Sequence, residues 1–220
     1  MYYKEIIHKY NSFIFDNDGV ILDSNQAKTE AFAKSVGSYD KENIDTFIDY
    51  HVKNGGVSRF EKIDYFYREI MGFDSYKKEL EDSLSIYASD AKRGMLEAAE
   101  IEGVMEFIKK IHQCKDSIYV ISGSDEEELI SIYTERGING LFKKVMGSPT
   151  SKKCHAEELI KNKELEYPAI YFGDSVTDFD LAQEYKMDFV FVSSKSEWED
   201  GAKICKASKS QMIQDFNEIL

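Results

Sequence analysis

Proline is almost missing from this chain, with 2 in 220 residues, which leaves no polyproline segment and no proline-rich linker. Cysteine is scarce as well: Cys114, Cys154 and Cys205 are odd in number and far apart. They make no Cys-x-x-Cys pair, so neither a disulfide scaffold nor a zinc or redox motif is in view, and the three read as reduced packing residues. Long apolar runs are lacking. FIF, VIL, IYVI, AIYF and FVFV fall far short of the roughly 20 residues that span a bilayer. The start, MYYKEIIHKY, is broken by charges every few residues and has no uninterrupted apolar core of a secretory signal; a cytoplasmic location is the expectation. Positive charge is short too, with 28 Lys and Arg against 41 Asp and Glu, a formal net charge of −13. Such a field repels polyphosphate backbones and argues against general nucleic-acid binding. An anionic substrate would then need a metal or a local cation to offset it.

What is present is an ordinary globular composition, 42% hydrophobic and 31% charged, with enough length for one sizeable core and a small second module. Short β-rich runs recur at SFIFD (12–16), SIYVIS (117–122), KVMG (144–147), PAIYFGD (168–174) and DFVFVS (188–193). They lack polar alternation, which predicts strands buried on both faces of a parallel sheet. Helical patterns fill the gaps. EGVMEFIKKIHQC puts Val104, Phe107, Ile108 and Ile111 on one face, and SDEEELISIYTERG opens with Ser124 and Glu127 as a capping box and stops at Gly137. SKKCHAEELIKN and DFDLAQEYK read as helices as well. The fold class is α/β: a Rossmann-like three-layer core around a central parallel sheet. Residues 24–93 contain no strand run and read instead as four helices, one opened by Ser58 and Glu61 as a capping box. The expected organisation is an α/β core from 1–22 and 94–220 with an inserted all-helical unit at 23–93, and Gly94 as a hinge point.

Polar groups gather where the predicted strands end: Asp16 with Asp18, Ser122 with Gly123, Lys152 beyond the third strand, and Asp174 with Asp178. In open α/β sheets that edge is where ligands bind. Asp16 and Asp18 point to one side while the backbone stays extended, and Gly19 lets the chain turn. Taken alone, DNDG also reads as a solvated turn. It does not read as a calcium loop, because Gly19 at the sixth position would make Ile14 the first ligand. For the lysine, Lys153 competes with Lys152; Lys152 lies closer to the face of Ala156 and Leu159, which should pack on the sheet. Asp16, Asp18 and Asp174 brought together would repel by about 4 kcal/mol per pair at roughly 4 Å and an effective dielectric of about 20. A cluster of oxygen donors calls for a hard cation, and Mg²⁺ suits it. Asp174 and Asp178 also suit the start of a helix, as cap and dipole partners. His8, His51, His112 and His155 match no ligand spacing and read as surface or packing histidines.

Four segments in order, FIFDNDGVILDS (13–24), VISGS (120–124), the lysine of SPTSKK (148–153) and YFGDSVTD (171–178), make the chain resemble the haloacid dehalogenase-like hydrolases. The resemblance covers nearly the whole chain and is nearest to the members with a helical cap after the first strand, the phosphoglycolate phosphatase and β-phosphoglucomutase-like group. It implies that Asp16 is the nucleophile that becomes an aspartyl phosphate and that Asp18 is the general acid and base. It implies that Ser122, the backbone N–H of Gly123 and Lys152 hold the phosphoryl oxygens. It further implies that Mg²⁺ takes the Asp16 carboxylate, the Asp18 carbonyl and Asp174, with Asp178 in or beside the ligand set. In the cap, GVSR (56–59) looks like the β-phosphoglucomutase segment whose arginine binds the phosphate that is not transferred, so Arg59 would meet a distal group of the substrate; a solvated first-turn arginine is the plain alternative. Phe60, Tyr65, Phe66 and Tyr67 read as cap core. Asn17 departs from the family pattern, which has an apolar residue between the two aspartates. The implied activity is a Mg²⁺-dependent phosphatase acting on a small phosphorylated metabolite, a sugar phosphate among the candidates. The acid at Asp18 argues against the dehalogenating branch. A phosphosugar mutase is the alternative, supported by Arg59 alone, and a binding protein without turnover ranks below both.

Overall fold

A computed structural model describes residues 2–220. The strands are β1 (Ser12–Phe15), β2 (Ile118–Asp125), β3 (Lys144–Ser148), β4 (Ala169–Gly173), β5 (Asp188–Val192) and β6 (Gln211–Ile213), paired in parallel in the order β3-β2-β1-β4-β5-β6. β1 is flanked on both sides, with Phe15 beside Val120 of β2 and Phe172 of β4. The order reverses at β1 and β4, so a crevice opens beyond their carboxyl ends.

The apolar runs have no polar face because both faces are covered. Phe13, Phe15, Val120, Phe172 and Val190 point into one cluster, against α1 (Tyr3–Lys9), α6 (Val104–His112) and α7 (Glu126–Glu135). Ile14, Tyr119, Ile121, Tyr171 and Phe189 point into the other, against α8 (Lys152–Lys161), α9 (Val176–Glu184) and α10 (Gly201–Ser208), where Cys205 is also buried. The period of two along each strand distributes one sequence run between two cores.

A third cluster is purely helical. It joins Ala31, Phe32 and Val36 of the α2 region (Asn25–Ser35), Phe47 of α3 (Lys41–Lys53), Ile63 of α4 (Arg59–Tyr65), the buried Phe66 and Tyr67 that follow it, and Tyr87 and Ala91 of α5 (Lys77–Glu97). The aromatics expected to form this core divide: Phe66 and Tyr67 are in it, while Tyr65 stacks on Tyr50 at 3.7 Å at its margin.

The structure differs from the sequence reading in several places, the helices α1 and α10 among its additions. α5 runs on through Lys92, Arg93 and Gly94 to Glu97, because Tyr87, Ala91 and Met95 repeat every four residues on one buried stripe. Gly94 is therefore no hinge but a contact: a Cβ there would sit 2.7 Å from Cβ of Ala27 in α2. β6 adds a sixth strand from the short run QMI. α7 is capped by Asp125, whose side chain accepts from the N–H of Glu128 at 3.1 Å, and not by Ser124, whose hydroxyl is committed elsewhere. The expected cap at Ser58 is present, accepting from the N–H of Glu61 at 3.3 Å. No helix among the described residues is long and apolar enough to cross a membrane.

Candidate active site

Asp16 leaves the end of β1 with its N–H still bonded to the carbonyl of Phe172, at 2.9 Å. The chain then turns back sharply, the carbonyl of Asn17 accepting from the N–H groups of Ile21 at 2.8 Å and Leu22 at 2.9 Å. Gly19 makes the turn possible. It sits at φ +74, and a Cβ there would lie 2.1 Å from Oδ2 of Asp174.

The turn sends the two aspartates into different surroundings. Asp18 accepts four hydrogen bonds: Ser24 Oγ at 2.6 Å and Asn17 Nδ2 at 2.9 Å on Oδ1, Ser124 Oγ at 3.0 Å and the ammonium of Lys28 on Oδ2. Burial pushes its carboxyl up, but Lys28 and the hydroxyls of Ser24 and Ser124 outweigh burial and hold it below the ordinary value. The Asn17 side chain is bonded at both ends: its Oδ1 accepts from Tyr133 Oη at 2.8 Å, which turns its Nδ2 toward Asp18.

Asp16 has no such set of donors. Its Oδ1 lies 2.9 Å from Lys152 Nζ, out of line for a hydrogen bond, and is otherwise orphaned in a buried position. Burial pushes its carboxyl up to about 7; Lys152 eases this, while Asp178 and Asp18 add to it. Asp174, at the end of β4, is held well above the carboxylate range by burial and then by Asp16 and Asp178, with Asn25 Nδ2 donating to it at 2.7 Å.

Oxygens of Asp16, Asp174 and Asp178 lie within 4.8 Å of one another. Three buried carboxylates with one orphaned oxygen fit a hard divalent cation. Asp16 and Asp174 offer open oxygens. The Asp18 carboxylate is turned to Lys28 and its neighbours, which leaves its backbone carbonyl as the group able to take part. Asp178 is fully engaged: Ser175 donates to Oδ2 at 2.6 Å, and Lys152 at 2.7 Å and Tyr171 at 2.9 Å donate to Oδ1. It fixes Lys152 from behind and closes the capping box of α9.

Lys152, the first residue of α8, thus bridges Asp16 and Asp178, whereas Lys153 points to Glu184 at the surface. Ser122 is buried within β2, its Oγ donating to Ser124 Oγ at 3.0 Å. Gly123 is where the helical unit touches the core: a Cβ there would sit 2.4 Å from the carbonyl oxygen of Gly56. The neighbouring Gly55 carbonyl accepts from Thr177 Oγ1 at 2.8 Å.

A cavity of about 440 Å³ lies between the helical unit and the sheet edge, walled by Asp16, Asp18, Gly123 and Asp174 from below and by Lys28, Arg59, His51 and Lys62 from above. Arg59 lines it but is committed to the core, 2.7 Å from Glu128 and 3.2 Å from Asp125. His51 is neither a surface nor a plain packing residue. Its Nδ1 accepts from the Lys62 ammonium at 2.7 Å, so the ring proton is on Nε2 and is donated to Thr29 Oγ1 at 2.9 Å. Burial, then Lys62, push the ring down to about 2, so it stays neutral. His155 is buried against the carbonyl of Gly147, while His8 and His112 are exposed. Lys28, Lys62, His51 and Thr29 carry no motif; the signal present in the sequence was only two lysines on the apolar sides of cap helices.

A family model described as haloacid dehalogenase-like hydrolase matches residues 13–192. No curated protein matches the chain. Among solved structures, the chain is similar to a predicted phosphatase from Clostridium acetobutylicum, at 17% identity and a TM-score of 0.73 over 96% of each chain. It is similar to a predicted phosphoglycolate phosphatase from Haemophilus somnus, at 18% identity and a TM-score of 0.63 over 90% of this chain and 98% of the other. It is also similar to CbbY from Rhodobacter sphaeroides in complex with phosphate, at 15% identity and a TM-score of 0.69 over 94% and 95%.

Proposed function

The chain belongs to the haloacid dehalogenase-like hydrolases, and from that membership we propose that it is a Mg²⁺-dependent phosphatase that hydrolyses a small phosphomonoester through an aspartyl phosphate. The observation that carries the proposal is the division of labour between Asp16, poor in donors and beside Lys152, and Asp18, held by four donors at the wall of the same cavity. The neighbours described as phosphatases and the one with bound phosphate support it.

In the first step an oxygen of Asp16 attacks phosphorus, the bond to the ester oxygen breaks, and Asp18 delivers a proton to the leaving alkoxide. Lys152 and the N–H of Gly123, with Ser122 beside them, hold the transferring oxygens. In the second step Asp18, now a carboxylate, takes a proton from water, whose oxygen attacks phosphorus and frees Asp16. The proton gained is the one it delivers in the next turnover. A divalent cation held by Asp16, Asp174 and the Asp18 carbonyl would neutralise the carboxylates and draw the phosphoryl group in. The helical unit excludes bulk water from the cavity. The ion pairs of Arg59 with Asp125 and Glu128 occupy the one residue that favoured a mutase, so hydrolysis is the reading we adopt; a distal substrate group would have to compete with those carboxylates for Arg59.

Acid-quenching the protein during turnover and mapping phosphorylation by mass spectrometry tests the intermediate. A phosphoryl group on the peptide bearing Asp16, missing in Asp16→Asn, is expected; a phosphoryl group elsewhere, or none under turnover, would contradict it.

A further inference from the structure

Two polar side chains are sealed in the core where β1 ends against α7: Asn17 and Tyr133, each 0% exposed. Their surroundings are apolar. Tyr133 belongs to the cluster of Leu129, Ile132 and Phe142, its ring centre 5.3 Å from that of Phe142, and Asn17 Nδ2 stands 3.9 Å from the sulfur of Met95. The phenol makes one hydrogen bond among the described residues, to Oδ1 of Asn17 at 2.8 Å. An amide and a phenol are costly to bury, whereas an apolar pair of the same shape would fill this space without that cost. A polar pair kept at such a place, one residue from each of the two aspartates, points to a role in the chemistry beside it.

The direction of the bonds is fixed. A carboxylate only accepts, so Asn17 presents Nδ2 to Asp18 and Oδ1 to the phenol, and the phenol donates; burial, then the charges of Asp18 and Asp16, keep it protonated. We propose that Tyr133 and Asn17 are positioning residues for the reaction: together they tie Oδ1 of Asp18 to the core and leave Oδ2 as the oxygen that gives and takes the proton. This rests on the phosphatase reading of the same site.

The two oxygens of Asp18 have unlike surroundings. Oδ1 accepts from Asn17 at 2.9 Å and Ser24 at 2.6 Å, neither of which lines the cavity. Oδ2 accepts from Ser124 at 3.0 Å and from Lys28, which does line it. With two donors on Oδ1, a proton carried by Asp18 has its place on Oδ2, from which it passes to the leaving alkoxide and to which the attacking water returns it. Ser24 and Lys28 come with the helical unit, at the start of α2 and within it, whereas Asn17 and Tyr133 belong to the core. Asn17 is thus the donor to Oδ1 that stays with the turn bearing Asp16. Tyr133 anchors that donor to α7 and keeps the amide from turning its own oxygen toward the carboxylate.

The test is the ratio of kcat/KM for the alkyl phosphate the protein hydrolyses best to kcat/KM for nitrophenyl phosphate, whose leaving group departs without a proton. General damage to the fold lowers both values and leaves the ratio alone. In Tyr133→Phe and in Asn17→Leu the ratio should fall by about tenfold, the contribution of one charge-assisted hydrogen bond. Adding Tyr133→Phe to Asn17→Leu should lower it no further, because the phenol acts only through the amide. The double variant also serves if Asn17→Leu alone does not fold, since it leaves no buried polar group unpaired. A ratio unchanged in the variants, or losses that add in the double variant, would overturn the proposal. Crystal structures of the native protein and Tyr133→Phe read the same point without turnover: the Asp18 carboxylate should be turned or spread over two orientations in the variant, and a single unchanged orientation would overturn the proposal. If the native protein releases phosphate from no alkyl ester, the phosphatase reading falls, and the two crystal structures still decide whether Tyr133 and Asn17 hold Asp18.

Discussion

Asp16 and Asp18 are two residues apart and chemically identical, and their neighbours make them different. Asp18 receives Ser24, Asn17, Ser124 and Lys28, while Asp16 keeps an oxygen that nothing in the protein bonds. The nucleophile needs an open, ionised oxygen, which Lys152 and a bound cation would secure for Asp16 against the burial that raises it, and the group that gives and then takes a proton needs to be held in place, as its four donors hold Asp18. The buried Lys62 of the helical unit has a separate consequence, for stability. Lys62 binds its proton less tightly in the folded chain, at about 7, than its ordinary 10.5. Between those values the unfolded chain holds more protons, so the contribution of Lys62 to stability rises with pH, and its penalty is full below pH 7. Lys62→Met should therefore raise the melting temperature, by about 3 °C or more at pH 6, with a gain that shrinks toward pH 10. Thermal unfolding of both proteins across that range checks it; a gain independent of pH would refute the assignment of the penalty to the charge.

At the scale of elements, the strands were the most legible part of the sequence, because a strand covered on both faces has to be a continuous apolar run, as IYVI and AIYF are. Their ends were legible for the same reason: the first polar residues after such runs, Asp16, Ser122 and Asp174, emerge at one edge of the sheet. Helix limits were less so. Lys92, Arg93 and Gly94 look like a stop, but the stripe of Tyr87, Ala91 and Met95 carries α5 onward from the helical cluster into the sheet cluster. Ser124 and Asp125 are both good caps, and what decided between them was the demand of Asp18 for the serine hydroxyl, a long-range contact that local pattern does not contain. The junction of the two units is a contact between glycines. In Gly123→Ala the new Cβ would meet the Gly56 carbonyl at 2.4 Å, and that backbone has to yield. Steady-state kinetics on the variant should show kcat/KM lower by about a hundredfold with an unchanged far-ultraviolet circular dichroism spectrum; wild-type kinetics would mean that the contact is not part of the working geometry.

For the whole molecule, a net charge of −13 sets a problem for a protein that would bind phosphate esters. The structure meets it locally, by turning Lys28, Lys53, Arg59 and Lys62 of the helical unit toward the cavity and setting Lys152 of the core beside Asp16 in its wall. The core lysine was legible, because a single strand end and helix start position it next to Asp16. The cap cations were legible only in part: Arg59 stood out by its short motif and proves to be held by Asp125 and Glu128, while Lys28 and Lys62 needed α2 and α4 to be brought over the sheet edge before they had any neighbours to read. The central claim is that this cavity hydrolyses phosphate esters with Asp16 as nucleophile, and the most direct measurement is phosphate release from a panel of phosphorylated carboxylic acids, sugar phosphates and an aryl phosphate, with Mg²⁺ and with chelator, by the native chain and by Asp16→Asn. The account predicts release that requires Mg²⁺ and falls by about a thousandfold or more in the variant. Release that persists in Asp16→Asn, or folded, Mg²⁺-loaded protein that releases phosphate from none of them, would contradict it.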